Sequence, residues 1–248
     1  MILLAKNAWE VKETKNKGRG LFAKKDIRAG VVVGDYLGRV MRTADVDIKG
    51  GETNLYLMYY HDKASIYPDL QKAGIHLLNH SCTPNTWIYV HQGHTLFFAL
   101  RHIFSGEEIT TSYMLSPKDE FCNPCSHVCK CASPMCTGPM HLPAERYAKW
   151  DIFQKEHSKK SRRKRIRYNK SLAPLSMYPK KIPDHPIYSL FGYVKGKSVV
   201  CEDKDMPKVN TLRSLIREKG RMVDFPNLNL KVYGVIDNKV ISEALTTG

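Results

Sequence analysis

The sequence has no long apolar run. No window approaches eighteen consecutive hydrophobic residues, so no stretch reads as a transmembrane helix. The start, Met1-Ile2-Leu3-Leu4-Ala5-Lys6, lacks the leading positive region and the apolar length of a signal peptide. There is no internal repeat. Glycine and proline number only 16 and 13 in 248 residues, which excludes a collagen. A hydrophobic content of 42% excludes a disordered tail protein and supplies a core for one or two domains. The composition does not suit a coiled-coil rod either. These absences predict a soluble protein without a membrane partner, working in a bacterial cytoplasm or in a nucleus.

Acidic residues are also in short supply, 24 against 39 Lys and Arg, for a net charge of +15. The deficit is uneven. Residues 1–139 hold 16 basic and 13 acidic residues, while residues 140–248 hold 23 and 11. The densest basic piece is HSKKSRRKRIRYNK, residues 157–170. Such a block repels itself unless it meets an anion, so it predicts contact with nucleic acid or a nuclear-import signal. The plainer alternative is a solvated helix face or linker.

Seven cysteines are present, an odd number, and five fall between Cys122 and Cys136 in CNPCSHVCKCASPMC. Dense C-x-C and C-x-x-C spacing without a signal peptide favours zinc in a reducing compartment over spread disulfides. Cys82 and Cys201 stand apart, and Cys201 reads as a buried core thiol.

The first half reads as short strands punctuated by glycine. Trp9–Lys12 alternates, Gly18-Arg19-Gly20 makes a turn, and residues 31–33 and 36–40 are β-leaning. So are residues 54–60 and 109–113, and residues 86–90 and 95–100 form a hairpin across His91-Gln92-Gly93-His94. Pro143 opens a helix carrying Tyr147, Trp150 and Phe153 at near one-turn spacing. Four prolines in residues 171–187 suggest extended linker. The tail from Ile187 reads as a small α+β unit, with hairpins near 194–200 and 232–241. Between them, Asp205 caps a helix bearing Val209, Leu212, Leu215 and Ile216, with Gly220 past its end.

Five motifs carry the chemistry. They are Lys17-Gly18-Arg19-Gly20, Asp35-Tyr36-Leu37-Gly38, the NHSCxPN of Asn79 to Asn85, Gly106-Glu107-Glu108-Ile109-Thr110-Thr111-Ser112-Tyr113, and the C-x-C-x4-C of Cys129, Cys131 and Cys136. In this order they resemble the SET-domain protein-lysine methyltransferases with a cysteine-rich post-SET segment. The resemblance covers about residues 8–140. It implies a mostly β fold of short strands in several small sheets with a knot-like crossing, then a zinc-bound segment and a smaller α+β C-terminal region. The boundaries expected are 1–115 for the catalytic domain, 116–140 for the post-SET segment, 141–186 for a basic helix and Pro-rich linker, and 187–248 for the C-terminal unit.

Methyl transfer from S-adenosylmethionine to an amine needs a bound donor and a neutral nitrogen aligned with it. Free lysine, with a pKa near ~10.4, arrives charged, and a narrow aromatic channel that desolvates it lowers that value. The resemblance makes Tyr113 the catalytic-site tyrosine and Tyr36 a wall of the lysine channel. It assigns Lys17, Gly18, Arg19, Gly20, Tyr56, Asn79 and His80, with Tyr113, to the cofactor, and Cys82, Cys129, Cys131 and Cys136 to a structural Zn2+. Tyr59, Tyr60 and Tyr67 read as packing. His76 stands where many members carry Arg, and the small Thr111 where many carry Phe or Tyr, which leaves room beside the amine. Cys122 and Cys125 either compete as ligands, join His127 in a second site or stay free, the free thiols being favoured. The function implied is lysine methylation of a histone or another basic, nucleic-acid-associated protein. The alternatives are a non-catalytic zinc-containing nucleic-acid-binding module and a methyltransferase of a non-chromosomal protein.

Overall fold

A computed structural model describes residues 6–28, 30–45, 56–61, 63–82, 84–100, 103–120, 122, 124–131, 136–160, 168–179, 224–225 and 230–231. The described chain is mostly short strands in small sheets, with one α-helix. In chain order the strands are β1 (Trp9–Thr14), β2 (Gly18–Ala23), β3 (Val32–Asp35), β4 (Arg39–Arg42), β5 (Met58–His61), β6 (Ala64–Tyr67), β7 (Asn79–His80), β8 (Thr86–His91), β9 (His94–Ala99) and β10 (Glu108–Thr111). The helix α1 (Ala144–Lys160) and the strand β11 (Lys170–Ser171) follow, and β12 (Asp224–Phe225) pairs with β13 (Leu230–Lys231).

Three sheets build the body, ordered β1-β2-β10-β7, β11-β4-β6-β5 and β3-β9-β8. Strand β9 shows why they pack. All six of its residues, HTLFFA, are buried, so neither face is wet. Successive side chains leave a strand on opposite faces. Accordingly Phe97 and Ala99 join Leu21, Val33, Tyr36, Ile66 and Ile109 in one core, while Leu96 and Phe98 join Val32, Trp87 and Trp150 in another. Burying each phenylalanine is worth about 1.5–3 kcal/mol. The β8–β9 hairpin turns at Gln92 (φ 49°) and Gly93 (φ 84°), the two left-handed residues of a type I′ turn.

Several local expectations shift. Gly18-Arg19-Gly20 opens strand β2 rather than forming the turn, which lies at Lys15–Lys17 and is tied by Lys17 N–H donating to Thr14 Oγ1 (3.0 Å). Gly18 is still required there, because its φ is +67°. The β-leaning run at residues 36–40 is broken, with β3 ending at Asp35 and β4 starting at Arg39. A side chain at Gly38 would collide with the Tyr67 carbonyl. The last short strand stops at Thr111 rather than Tyr113.

The stretch read as linker carries tertiary contacts. Lys170–Ser171 adds a strand to β4, flanked by Asn169 N–H to Val40 O (2.7 Å) and Leu172 N–H to Gly38 O (2.9 Å). Tyr178 is buried with Trp150. Helix α1 begins after Pro143 as expected, and Trp150 meets Trp87 edge-on at 5.2 Å. The hairpins and helix expected within 194–241, the core thiol expected at Cys201 and most of the basic block lie outside the described residues.

Candidate active site and metal centre

The site is assembled where β7 lies parallel to β10, pairing Asn79 with Thr110 and His80 with Thr111. Ser81 N–H extends the pairing to Thr111 O at 2.8 Å. Parallel neighbours need a long connection, here the stretch from His80 to Glu108. The motif's last residue, Asn85, locks that return. Fully buried, it donates to Glu108 O (2.8 Å) and Glu107 Oε1 (3.1 Å), and its Oδ1 accepts from Thr110 N–H (2.7 Å). A buried amide with both ends satisfied fixes register better than apolar contact can.

The Asn79 side chain reaches from β7 to groups on both β10 and β2. Its Nδ2 donates to Glu108 Oε1 (2.9 Å) and to Arg19 O (3.1 Å). Gly20 makes room for this contact, since a side chain there would stand 2.7 Å from Asn79 Nδ2 and 3.1 Å from Glu108 Oε1. Glu108 also takes both hydrogen bonds from Lys17 Nζ (2.8 and 2.9 Å), an ion pair with side chains 14% and 8% exposed. The Lys17 ammonium, expected among the cofactor contacts, is held by this carboxylate.

Tyr113 leaves the end of β10. Its main-chain N–H donates to His80 Nδ1 (3.1 Å) and its hydroxyl to Leu78 O (3.2 Å). Because Nδ1 accepts, His80 carries its proton on Nε2, which points at Cys82 Sγ 3.6 Å away. One imidazole thus joins the Tyr113 backbone to the cysteine cluster. Tyr36 is buried and donates its hydroxyl to the Tyr56 carbonyl. Burial, then the Tyr113 and Tyr56 phenols beside it, hold Tyr36 far above the ordinary tyrosine range. Tyr113 is 44% exposed as a residue, with its hydroxyl tied to Leu78 O. Burial there, with Tyr56 adjacent, pushes it up to about 12. The three phenols therefore act on one another, and Tyr36 and Tyr113 stay neutral. His76 stacks edge-on to Tyr56 at 5.6 Å, and burial, then the nearby Arg19, lower its pKa.

The structure brings together Tyr36, Tyr56, Tyr113, Asn79 and His80, with Arg19 and Gly20 adjoining through Asn79. Glu108 and Asn85 are the positioning residues that sequence reasoning missed. Both fall within the motifs, yet only their distant partners reveal their work. Tyr60 packs in the core as expected and bonds Gly93 O (2.8 Å), whereas Tyr59 is 52% exposed.

Cys82, Cys129, Cys131 and Cys136 present sulfurs within 4.8 Å of one another. Cys82 Sγ lies 3.7 Å from Cys129 Sγ. A tetrahedron with metal–sulfur bonds of ~2.3 Å has a sulfur–sulfur edge of about 3.8 Å, so the donor set fits zinc. Crowding by Cys131, then by Cys82, drives the Cys129 thiol far above its ordinary pKa. A divalent cation reverses that penalty.

A SET-domain family model matches residues 18–114, which span the Gly18–Gly20 stretch, the paired strands β7 and β10, and Tyr113. This chain carries a SET domain. The chain is 34% identical over 141 residues to a variant-silencing SET domain-containing protein of Plasmodium falciparum, covering 51% of this chain and 5% of that protein. It is 34% identical over 124 residues to histone-lysine N-methyltransferase 2B of Homo sapiens, covering 46% of this chain and 5% of that protein. A histone-lysine N-methyltransferase of Yarrowia lipolytica, H3 lysine-36 specific, is 35% identical over 116 residues, or 42% of this chain and 15% of that one. The chain thus spans a small fraction of the length of these relatives. Among the described residues no helix is long and apolar enough to cross a membrane.

Proposed function

We propose that this chain is an S-adenosylmethionine-dependent protein-lysine N-methyltransferase. The observation that carries the reading is the convergence of Tyr36, Tyr56 and Tyr113 beside Asn79 and His80 within a SET domain. S-adenosylmethionine supplies an electrophilic methyl group on a positively charged sulfur. The main chain from Lys17 to Gly20 and at Asn79–His80 would hold it. That surface suits a ligand that needs close backbone approach, because Gly18 faces open space and β7 is the outer strand of its sheet.

Tyr36 and Tyr113 bind and orient the lysine amine, with Tyr56 beside them on the cofactor side. With its pKa at about 12, Tyr113 is a tyrosinate in only about one molecule in 100,000 at pH 7. It therefore aligns the nitrogen through its hydroxyl and does not take the proton. The amine loses that proton through desolvation among the aromatic rings. A structural Zn2+ on Cys82, Cys129, Cys131 and Cys136 would pin the post-SET segment against the SET domain, and the His80 Nε2–H facing Cys82 would orient that thiolate.

The substrate we propose is a histone or another basic, nucleic-acid-associated protein. The histone-lysine names of the relatives support this. The basic block at 157–170 favours an anchor on nucleic acid, and a nuclear setting, over direct contact with a basic peptide.

Purified chain with zinc retained, given labelled S-adenosylmethionine and a panel of histones and ribosomal proteins, tests the reading. Label should appear on lysine and fall at least 100-fold in Tyr113→Phe. Absence of both methyl transfer and donor binding would return the protein to the non-catalytic binding module.

A further inference from the structure

Cys122 and Cys125, read from the sequence as free or weakly bound thiols, lie in the fold beside two histidines. Cys122, Cys125, His127 and His141 each offer one ligand atom, and all four atoms lie within 4.8 Å of one another. No residue is shared with the Cys82 cluster. We propose that these four residues form a second structural zinc site, of Cys2His2 type, that clamps the base of the post-SET segment.

The distances match a tetrahedron. Cys122 Sγ is 3.6 Å from His127 Nδ1 and 3.2 Å from His141 Nε2, and the two imidazole nitrogens are 3.2 Å apart. Zinc with bonds of ~2.3 Å to sulfur and ~2.0–2.1 Å to nitrogen sets edges of about 3.5 Å and 3.3 Å for these pairs. The two rings meet nearly perpendicular, at 84°. The tautomer is also prepared. His141 Nδ1–H donates to the Ser116 carbonyl, which leaves the Nε2 lone pair directed into the cluster. Metal-bound histidines characteristically anchor their second nitrogen in this way. A tetrahedral set of two thiolates and two imidazoles is the preference of Zn2+. Four protein ligands leave no open position, so the site is structural.

The backbone brings the ligands together independently of their side chains. Leu115 bridges His141 in parallel, and Leu142 N–H donates to Leu115 O (3.0 Å). Met140 N–H donates to His127 O (2.8 Å) and Cys129 N–H to Gly138 O (2.7 Å). The chain from Cys122 to His141 therefore forms a closed loop, and Cys129, Cys131 and Cys136 lie inside it. One metal loop is nested in the other. The outer clamp fixes the chain leaving Tyr113 to the chain entering α1, so the inner site meets Cys82 from a set position.

The metal content and X-ray absorption of the full chain, purified with zinc, test this. The expected result is two zinc ions per chain with an average of three sulfur and one nitrogen ligands per ion. The Cys125→Ser/His141→Ala variant should retain one zinc with four sulfur ligands. One zinc per wild-type chain, or an all-sulfur average, overturns the proposal, as does a variant that keeps both ions. The wild-type measurement stands alone should the variant fail to fold.

Discussion

At Glu108 a single carboxylate on β10 ties in two other parts of the site, accepting from Lys17 in the turn before β2 and from Asn79 on β7. It is nearly enclosed, so its charge is matched by the Lys17 ammonium rather than by water. Glu108→Gln removes the charge but keeps the shape. Breaking a buried pair this way costs about 3–5 kcal/mol, which urea unfolding of the zinc-loaded chain should show, with weaker donor binding alongside. His76 provides the pH dependence. Its pKa is lowered, so the neutral ring is favoured in the fold, and its contribution is complete above the ordinary value of 6.5. The contribution is lost as the pH falls below 6.5 toward the depressed folded value. A protonated His76 would also add positive charge beside Arg19 and a cationic donor. Donor affinity measured by calorimetry should fall on acidification below that point, and His76→Gln should flatten the profile.

Elements here are short, and several exist only through their partners. Strand β7 has two residues, too few for any propensity to specify, and is a strand because Thr110 and Thr111 lie beside it. Strand β11, in a stretch rich in proline, is likewise defined by pairing with β4. By contrast, the β8–β9 hairpin was legible from its β-branched and aromatic runs and its Gln92-Gly93 turn. Helix α1 was legible from Pro143 and the aromatic spacing, but its purpose was not. Trp150 extends the second core by closing on Trp87, and Leu175 and Tyr178 of the expected Pro-rich linker join that core. Trp150→Ala should therefore destabilise the chain by about 3–5 kcal/mol, as for other large-to-small core changes. A loss within about 0.5 kcal/mol in denaturant unfolding, the range of ordinary surface changes, would mean that the helix does not support the fold.

For the whole molecule, charge and chemistry are segregated. The SET domain holds nearly balanced charge, while the basic excess follows it in the chain. If that excess anchors the chain on nucleic acid, binding should weaken steeply with salt. Neutralising the Lys and Arg residues from Lys159 to Arg167 should then reduce the log–log salt slope by about 0.9 for each phosphate that is no longer neutralised. Methylation of a free peptide should be spared by the same change. An unaltered slope in gel-shift titrations would count against the anchor.

The sequence by itself determined the composition class, the hairpin, the start of α1 and the set of chemical groups. These rest on local chemistry: turn residues, strand alternation, cysteine spacing and the unusual NHSCxPN string. Tertiary structure alone decided which groups meet. Asn79 reaches Glu108 across 29 residues, Tyr36 reaches Tyr56, and Cys82 reaches Cys129 across 47. It also decided that His141, distant in sequence and outside every motif, joins Cys122, Cys125 and His127. Such pairings depend on how strands cross and loops return, and no window of neighbouring residues encodes that information.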